Sequence, residues 1–241
     1  MSARTALVTG AGRGIGAAIT GRLLERGVRV AGSYHADPLP LKELAEQHPG
    51  LAMAVPYSLG DDDSARAAVA AVAGEWGRLD SLVLNAGRWI GGKLDEVPDA
   101  DWWDLVHANL RGAAQLARAA LPELRHGTDP SVLFVSSVVG LIGHAGDTAY
   151  ASAKAALVGL ARSLAKEVGR DGVRVNVLAP GFVETDMTAQ VPDRARERLT
   201  GEMLLRRFGT AREIADAAVF LSEDATYCTG TVLAVDGGWS L

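Results

Sequence analysis

Short apolar runs alternate with longer amphipathic stretches along almost the whole chain. Residues 5–8, 28–34, 51–55, 82–84, 132–136, 173–178 and 231–235 read as seven strands. A parallel strand buried on both faces is a continuous apolar run, not an alternating one, and these segments have that form. Between them, residues 15–26, 41–47, 61 to about 76, 99–124, 148–168 and 211–221 read as helices. Gly27 closes the first, and Asp61-Asp-Asp-Ser64 places acidic residues at the start of the third, where the helix dipole favours them. Repeated strand–helix units predict right-handed crossovers and a seven-stranded parallel sheet with helices on both faces. No linker, repeat or low-complexity tract interrupts the pattern, so residues 1–241 are expected to form one domain.

Composition narrows the function classes. The chain is 48% hydrophobic, enough for a large core, and carries a net charge of −5. No basic stripe stands out, which argues against a nucleic-acid partner. Cys228 is the single cysteine, so a disulfide framework or cysteine metal site is out of reach. The histidines (His35, His48, His107, His126, His144) lack ligand spacing, and no metal is expected. The N-terminal residues carry no signal-peptide pattern, and no window reaches membrane-spanning apolar length. A soluble, cytoplasmic protein is the expectation.

Two patterns carry chemistry. Thr9-Gly10-Ala-Gly12-Arg13-Gly14-Ile15-Gly16 lies between the first strand and first helix, where a dinucleotide site needs glycines and a free helix N-terminus for the phosphates. The second strand ends Gly32-Ser33-Tyr34-His35 without a carboxylate to meet a ribose 2′-hydroxyl, and Asp37 follows late. Arg13 within the turn suits a 2′-phosphate, so NADP(H) is favoured over NAD(H), which is not excluded. Further on, Tyr150 and Lys154 stand at i and i+4 on one helix face. An ammonium beside a phenol is expected to pull its pKa below about 10, suiting it to proton transfer.

Taken with other motifs, these residues resemble the short-chain dehydrogenase/reductase family over essentially the whole chain. Thr9-Gly-x-x-x-Gly-Ile-Gly16 looks like its cofactor turn, and Asn85-Ala86-Gly87 like its motif after strand four, with Leu84 replacing the usual preceding Asn. Asn109, Ser137, Tyr150 and Lys154 match its catalytic tetrad. Pro180-Gly181 with Thr185 matches the loop that meets the nicotinamide. The resemblance implies a Rossmann-type three-layer sandwich. It implies cofactor contacts from Gly10, Arg13, Gly14, Ile15 and Gly16, and from Asn85, Ala86, Gly87, Tyr150 and Lys154. Tyr34, Leu59, Pro180, Gly181, Val183 and Thr185 complete that set. Ser58 stands where the family often has aspartate, leaving the Leu59 backbone to hold the adenine. Tyr150 would protonate a ketone while hydride arrives from NADPH. Lys154 would tune it and bond the ribose, Ser137 would steady the substrate oxygen, and Asn109 would hold a relay water.

Ser136–Gly143 and Gly181-Phe-Val-Glu-Thr-Asp-Met187 are similar to bacterial 3-oxoacyl-[acyl-carrier-protein] reductases. Such a substrate implies basic residues for an acidic carrier, with Arg125 and Arg170 as candidates beside a contrary Asp171. Trp89, Val139, His144, Phe182 and Met187 are the substrate-side candidates, under an amphipathic lid at about 187–205. Trp102 and Trp103 read as helix-packing residues. Another small ketone, secondary alcohol or sugar, and a non-catalytic NADP(H)-binding subunit, are the alternatives. Family members usually form tetramers, so a homotetramer is expected.

Overall fold

The computed structural model describes residues 3–241. Its central sheet has seven parallel strands: β1 (Thr5–Val8), β2 (Arg29–Tyr34), β3 (Ala52–Pro56), β4 (Ser81–Leu84), β5 (Ser131–Val135), β6 (Arg174–Pro180) and β9 (Val232–Val235). The order is β3-β2-β1-β4-β5-β6-β9. From β1 the chain winds outward to β3, then returns to lay β4 on the other side of β1. That reversal opens a crevice at the carboxyl ends of β1 and β4, the place where open parallel sheets bind ligands.

Both sheet faces are covered, which is why the strands read as unbroken apolar runs. On β5, Val132 and Phe134 enter one apolar layer, and Leu133 and Val135 enter the other. The first layer packs beneath α3 (Asp62–Trp76), α5 (Gly112–Leu124) and α7 (Thr148–Val168), through Val72, Leu116, Leu124 and Leu157. The second packs beneath α1 (Gly14–Glu25) and α9 (Ala211–Val219), through Ile19, Leu23 and Ile214. Phe134 is fully buried, and enclosing such a side chain contributes about 3 kcal/mol.

Local signals set the helix ends. The Asp61 carboxylate accepts from Asp63 N and Ser64 N at the start of α3, and Gly77 ends it at φ 71°. Thr210 and Glu213 form a reciprocal capping box on α9.

The structure differs from the expected elements in three places. The helix expected over 99–124 is α4 (Asp99–Val106) and α5 joined by a π-helical turn, His107–Arg111. A short helix α6 (Val139–Ile142) follows β5. Beyond β6, β7 (Val183–Glu184) pairs with β8 (Gly209–Thr210) in a separate parallel ribbon, and α8 (Asp193–Glu202) lies between them. Pairing over two residues is too short to leave a hydrophobic pattern, and one widened turn does not disturb the period of a long helix. Among the described residues no helix is long and apolar enough to cross a membrane.

Candidate active site

Gly10 and Gly14 stand at φ +65° and +54°, a region that L side chains avoid. At Gly16 the limit is space: a Cβ there would lie 2.1 Å from Gly10 O. Beside Gly12 a Cβ would meet nothing closer than Pro40 at 4.0 Å, so the turn faces open space there. No side chain caps α1, which leaves its first N–H groups turned toward the crevice, with Arg13 exposed beside them. These residues fit a dinucleotide pyrophosphate. Thr9 ties the turn to β4: its Oγ1 accepts from Asn85 N and Ala86 N at 2.9 Å. Asn85 Nδ2 donates back to Thr9 O at 2.9 Å. Sequence reading passed over the role of Thr9, although a hydroxyl immediately before the first glycine is a usable signal.

At the end of β2, Tyr34 is half-buried and His35 Nδ1 sits 3.0 Å from Ser58 Oγ. Asp37 is occupied elsewhere, its carboxylate accepting from Leu39 N at 2.9 Å at the start of α2 (Leu39–Gln47). Leu59 packs toward Gly112, where an added Cβ would lie 2.8 Å from it. Across the crevice, Thr185 approaches Gly14, whose Cβ would stand 3.5 Å from the threonine methyl. Gly181 N donates to Val235 O at 3.0 Å, and a Cβ at Gly181 would collide with Asp236. Close packing therefore sets the path of Pro180-Gly181 toward the buried Val183.

Asn109, Ser137, Tyr150 and Lys154 come from three parts of the chain, the π turn, the end of β5 and α7, and meet around the ends of β4 and β5. Asn109 lies in the π turn, a distortion that often marks functional positions. Its Nδ2 donates to Arg88 O and Leu105 O, both at 2.9 Å, and its Oδ1 accepts from Arg88 N at 3.2 Å. A Cβ at Gly87 would lie 2.5 Å from Asn109 Oδ1 and 3.4 Å from Lys154 Nζ, so glycine keeps this space clear. Ser137 Oγ accepts from Val139 N at 3.2 Å at the start of α6. Ser136 Oγ donates to Lys154 O at 2.7 Å, pinning α7 to the end of β5.

Lys154 is buried, and its Nζ donates to Val135 O at 2.9 Å. Burial lowers its pKa to about 8. Tyr150 keeps part of its surface open, but its ring packs between two apolar clusters. That enclosure raises the phenol to about 12, with the Asp147 charge adding to the rise and a Ser137 hydrogen bond opposing it. This corrects the expectation that Lys154 pulls the phenol below its ordinary value. The ammonium sits 5.5 Å over the ring face and is directed to the Val135 carbonyl, while desolvation of the phenolate acts on the oxygen itself.

Of the residues expected on the substrate side, Val139, His144 and Phe182 meet in one wall beside Tyr150, and Trp89 and Met187 lie outside it. Val139, Ala179, Leu199, Met203, Phe208 and Trp239 form one buried cluster, with Tyr150 and Phe182 against it. Phe182 lies 5.2 Å from Phe208 and 5.0 Å from Trp239 between ring centroids. His144 meets both Phe182 and Trp239 edge-on. Within the expected lid, Leu199 and Met203 point inward, and Trp239 Nε1 donates to Glu202 Oε2 at 3.1 Å. Leu204, another apolar residue of that stretch, is 67% exposed, and Met187 is exposed as well. Trp102 packs as expected, its Nε1 donating to Thr148 Oγ1 at 3.1 Å. Trp103 does not: it is half-exposed, edge-on to Trp102. The Trp239 wall escaped sequence reading because its contact with α8 spans a long stretch of chain. Arg125, a candidate for carrier docking, is paired with Asp171 at 2.7 Å.

Residues 10–240 match a protein family described as Enoyl-(Acyl carrier protein) reductase. The chain is 40% identical to the 3-oxoacyl-[acyl-carrier-protein] reductase FabG of Vibrio harveyi, covering 99% of this chain and 98% of the relative. It is 38% identical to FabG of Escherichia coli, covering 98% and 96%, and 36% identical to FabG of Thermotoga maritima, covering 99% and 98%. With the seven-stranded parallel sheet and the full-length likeness in agreement, the chain belongs to the short-chain dehydrogenase/reductase family, and it is an oxidoreductase acting on CH–OH and C=O groups.

Proposed function

We propose that the protein is an NADPH-dependent reductase of 3-oxoacyl thioesters. The convergence of Asn109, Ser137, Tyr150 and Lys154 beside the glycine turn carries this reading, and the relatives named above point to the substrate class. The turn at Gly10–Gly16, with Ile15 at the start of α1, holds the pyrophosphate. Asn85, Ala86 and Gly87 line the crevice beside it, and Pro180, Gly181, Val183 and Thr185 line the far side. The nicotinamide cofactor supplies hydride to the carbonyl carbon. At neutral pH the enclosed Tyr150 phenol keeps its proton, the state needed to protonate a carbonyl oxygen. Ser137 Oγ bonds that oxygen and stabilises the charge developing on it. Lys154, with a pKa of about 8, returns the proton to Tyr150, and Asn109 Oδ1 keeps a lone pair for a relay water. The exposed Arg13 and the occupied Asp37 favour NADPH over NADH.

A second reading is favoured by the Arg125–Asp171 pair, which neutralises a cation suited to an acidic carrier. On that reading the substrate is a small free ketone, thioester or secondary alcohol. For assembly, we propose a homotetramer in which the exposed Ser152, Ala155 and Gly159 of α7 and the edge strand β9 meet other copies. Sedimentation would test that assembly.

The deciding experiment follows cofactor absorbance with NADPH and NADH side by side. The panel is acetoacetyl thioester, carrier-borne and free, with simple ketones and sugars. Consumption of NADPH with the thioesters alone is the expected result. Equal rates on carrier-borne and free thioester would favour the second reading. Tight NADPH binding without turnover of any ketone would instead indicate a binding subunit.

A further inference from the structure

Asp147 occupies the N-cap of α7, where an aspartate ordinarily accepts from the free N–H groups of the first turn. Its carboxylate makes no such bond. Instead Oδ1 accepts from Trp89 Nε1 at 2.7 Å, and Oδ2 lies 2.8 Å from His144 Nδ1. A side chain that gives up the N–H groups of its own helix for an imidazole three residues upstream and an indole from another loop marks a position under a different demand. Trp89 belongs to the loop after β4, and His144 to the loop before α7. The backbones of these loops also meet, with Gly92 N donating to Gly146 O at 2.8 Å. Asp147 itself is buried, while Trp89 is 48% exposed. The indole is therefore held by its N–H with half of its surface left free. Its ring leaves no room for a side chain at Gly91, where a Cβ would stand 2.8 Å from it. On the other side, His144 meets Phe182 and Trp239 edge-on at 6.5 and 5.9 Å.

We propose that Asp147 is a positioning residue for substrate selection: its carboxylate latches the Trp89 loop to the His144 loop and fixes the indole as an apolar platform at the entrance. The platform suits the apolar acyl portion of a ketone substrate. Asp147 makes no bond to the reacting carbonyl in this role. It acts through Trp89 and His144.

The kinetic part of this proposal rests on the ketoreductase reading, and the exchange part does not. Hydrogen exchange over residues 88–97 and 143–147 is compared in the wild type, D147A, D147N and W89F. D147A removes both acceptors, and W89F removes only the N–H. D147N keeps one acceptor for Trp89, and the imidazole can change tautomer to meet the new amide. Faster exchange in D147A and W89F, with D147N close to the wild type, is expected. Unchanged exchange in D147A overturns the latch. With acetoacetyl thioester, W89F should raise KM about tenfold with little change in kcat, and D147A should raise KM as much. D147N, which also removes the charge that acts on Tyr150 but keeps an acceptor for Trp89, separates any kcat change in D147A from loss of the latch. The double variant D147A/W89F should cost no more than the worse single one, because both remove the same bond. Additive losses, or a kcat loss without a KM change, overturn the positioning role. If D147A does not fold, W89F and D147N carry the same comparison. Faster exchange in a protein whose wild type reduces no ketone would leave the latch standing and remove the ketoreductase reading.

Discussion

At the glycine turn, backbone lies directly on backbone: a Cβ at Gly16 would stand 2.1 Å from Gly10 O, and Gly10 and Gly14 hold positive φ. Around Trp89 and Trp239, side chain meets side chain. Trp89, Asp147 and His144 form one network, and Phe182, Phe208 and Trp239 form another. The first region leaves no space for an added atom at Gly16, while the second depends on individual hydrogen bonds and ring contacts. A cofactor common to many reactions suits a rigid cradle built from main chain.

The largest effect is expected where the two regions meet. Tyr150→Phe removes the proton donor and should lower turnover by about a thousandfold while cofactor affinity stays near wild type. Single-turnover kinetics beside cofactor titration checks this, and preserved turnover would detach Tyr150 from the chemistry.

Gly16→Ala attacks the cradle. The added methyl meets a carbonyl rather than a flexible side chain, and should cost about 3 kcal/mol with loss of cofactor binding. Gly21→Ala on the same helix is the control. A Cβ there meets nothing within 4 Å, and the change should stabilise by about 0.5–1 kcal/mol. Denaturant midpoints of the two variants separate backbone contact from helix propensity, and equal shifts would break the comparison.

Lys154→Met tests the buried ammonium. Its folded pKa of about 8 lies below the ordinary lysine value of 10.5, so the unfolded chain binds more protons between these limits. Stability contributed by this group is therefore lowest below about pH 8 and rises toward pH 10.5. Tyr150, raised from 10 to about 12, works in the opposite sense above pH 10, because the folded state then holds the extra proton. The clean window is pH 8–10. There the wild type should gain stability relative to Lys154→Met, by at most roughly 3 kcal/mol over the full lysine interval. Thermal unfolding across that window measures it, and a constant difference would mean that the lysine is not desolvated.

The smallest effect is expected at the wall. Trp239→Phe removes the bond to Glu202 but keeps most of the ring, and should cost about 1 kcal/mol. The loss should appear as faster hydrogen exchange in α8 rather than in the glycine turn.

Much of the architecture was legible from hydrophobic period alone. Each expected strand and helix has a counterpart, because a parallel sheet covered on both faces demands unbroken apolar runs. The exceptions were local. The π turn at Asn109, the short α6 and the two-residue β7–β8 ribbon leave no period to read. Around the site, Tyr150 and Lys154 were named from their spacing and Asn109 and Ser137 from the family resemblance, and the fold brings the four together. The electrostatics were not legible. Lys154 was expected to lower Tyr150, but enclosure of the phenol raises it, since desolvation depends on neighbours that spacing does not specify.

The chain by itself determined the order of strands and helices, the position of the glycine turn and the residue types available for proton transfer. Those follow from covalent neighbours and local period. Tertiary structure decided the direction of Lys154 toward Val135 O, the turning of Asp147 from its helix to Trp89, and the pairing of Arg125 with Asp171. Each of these joins residues from different elements, so the strength of the contact depends on distance and desolvation that only the folded chain supplies.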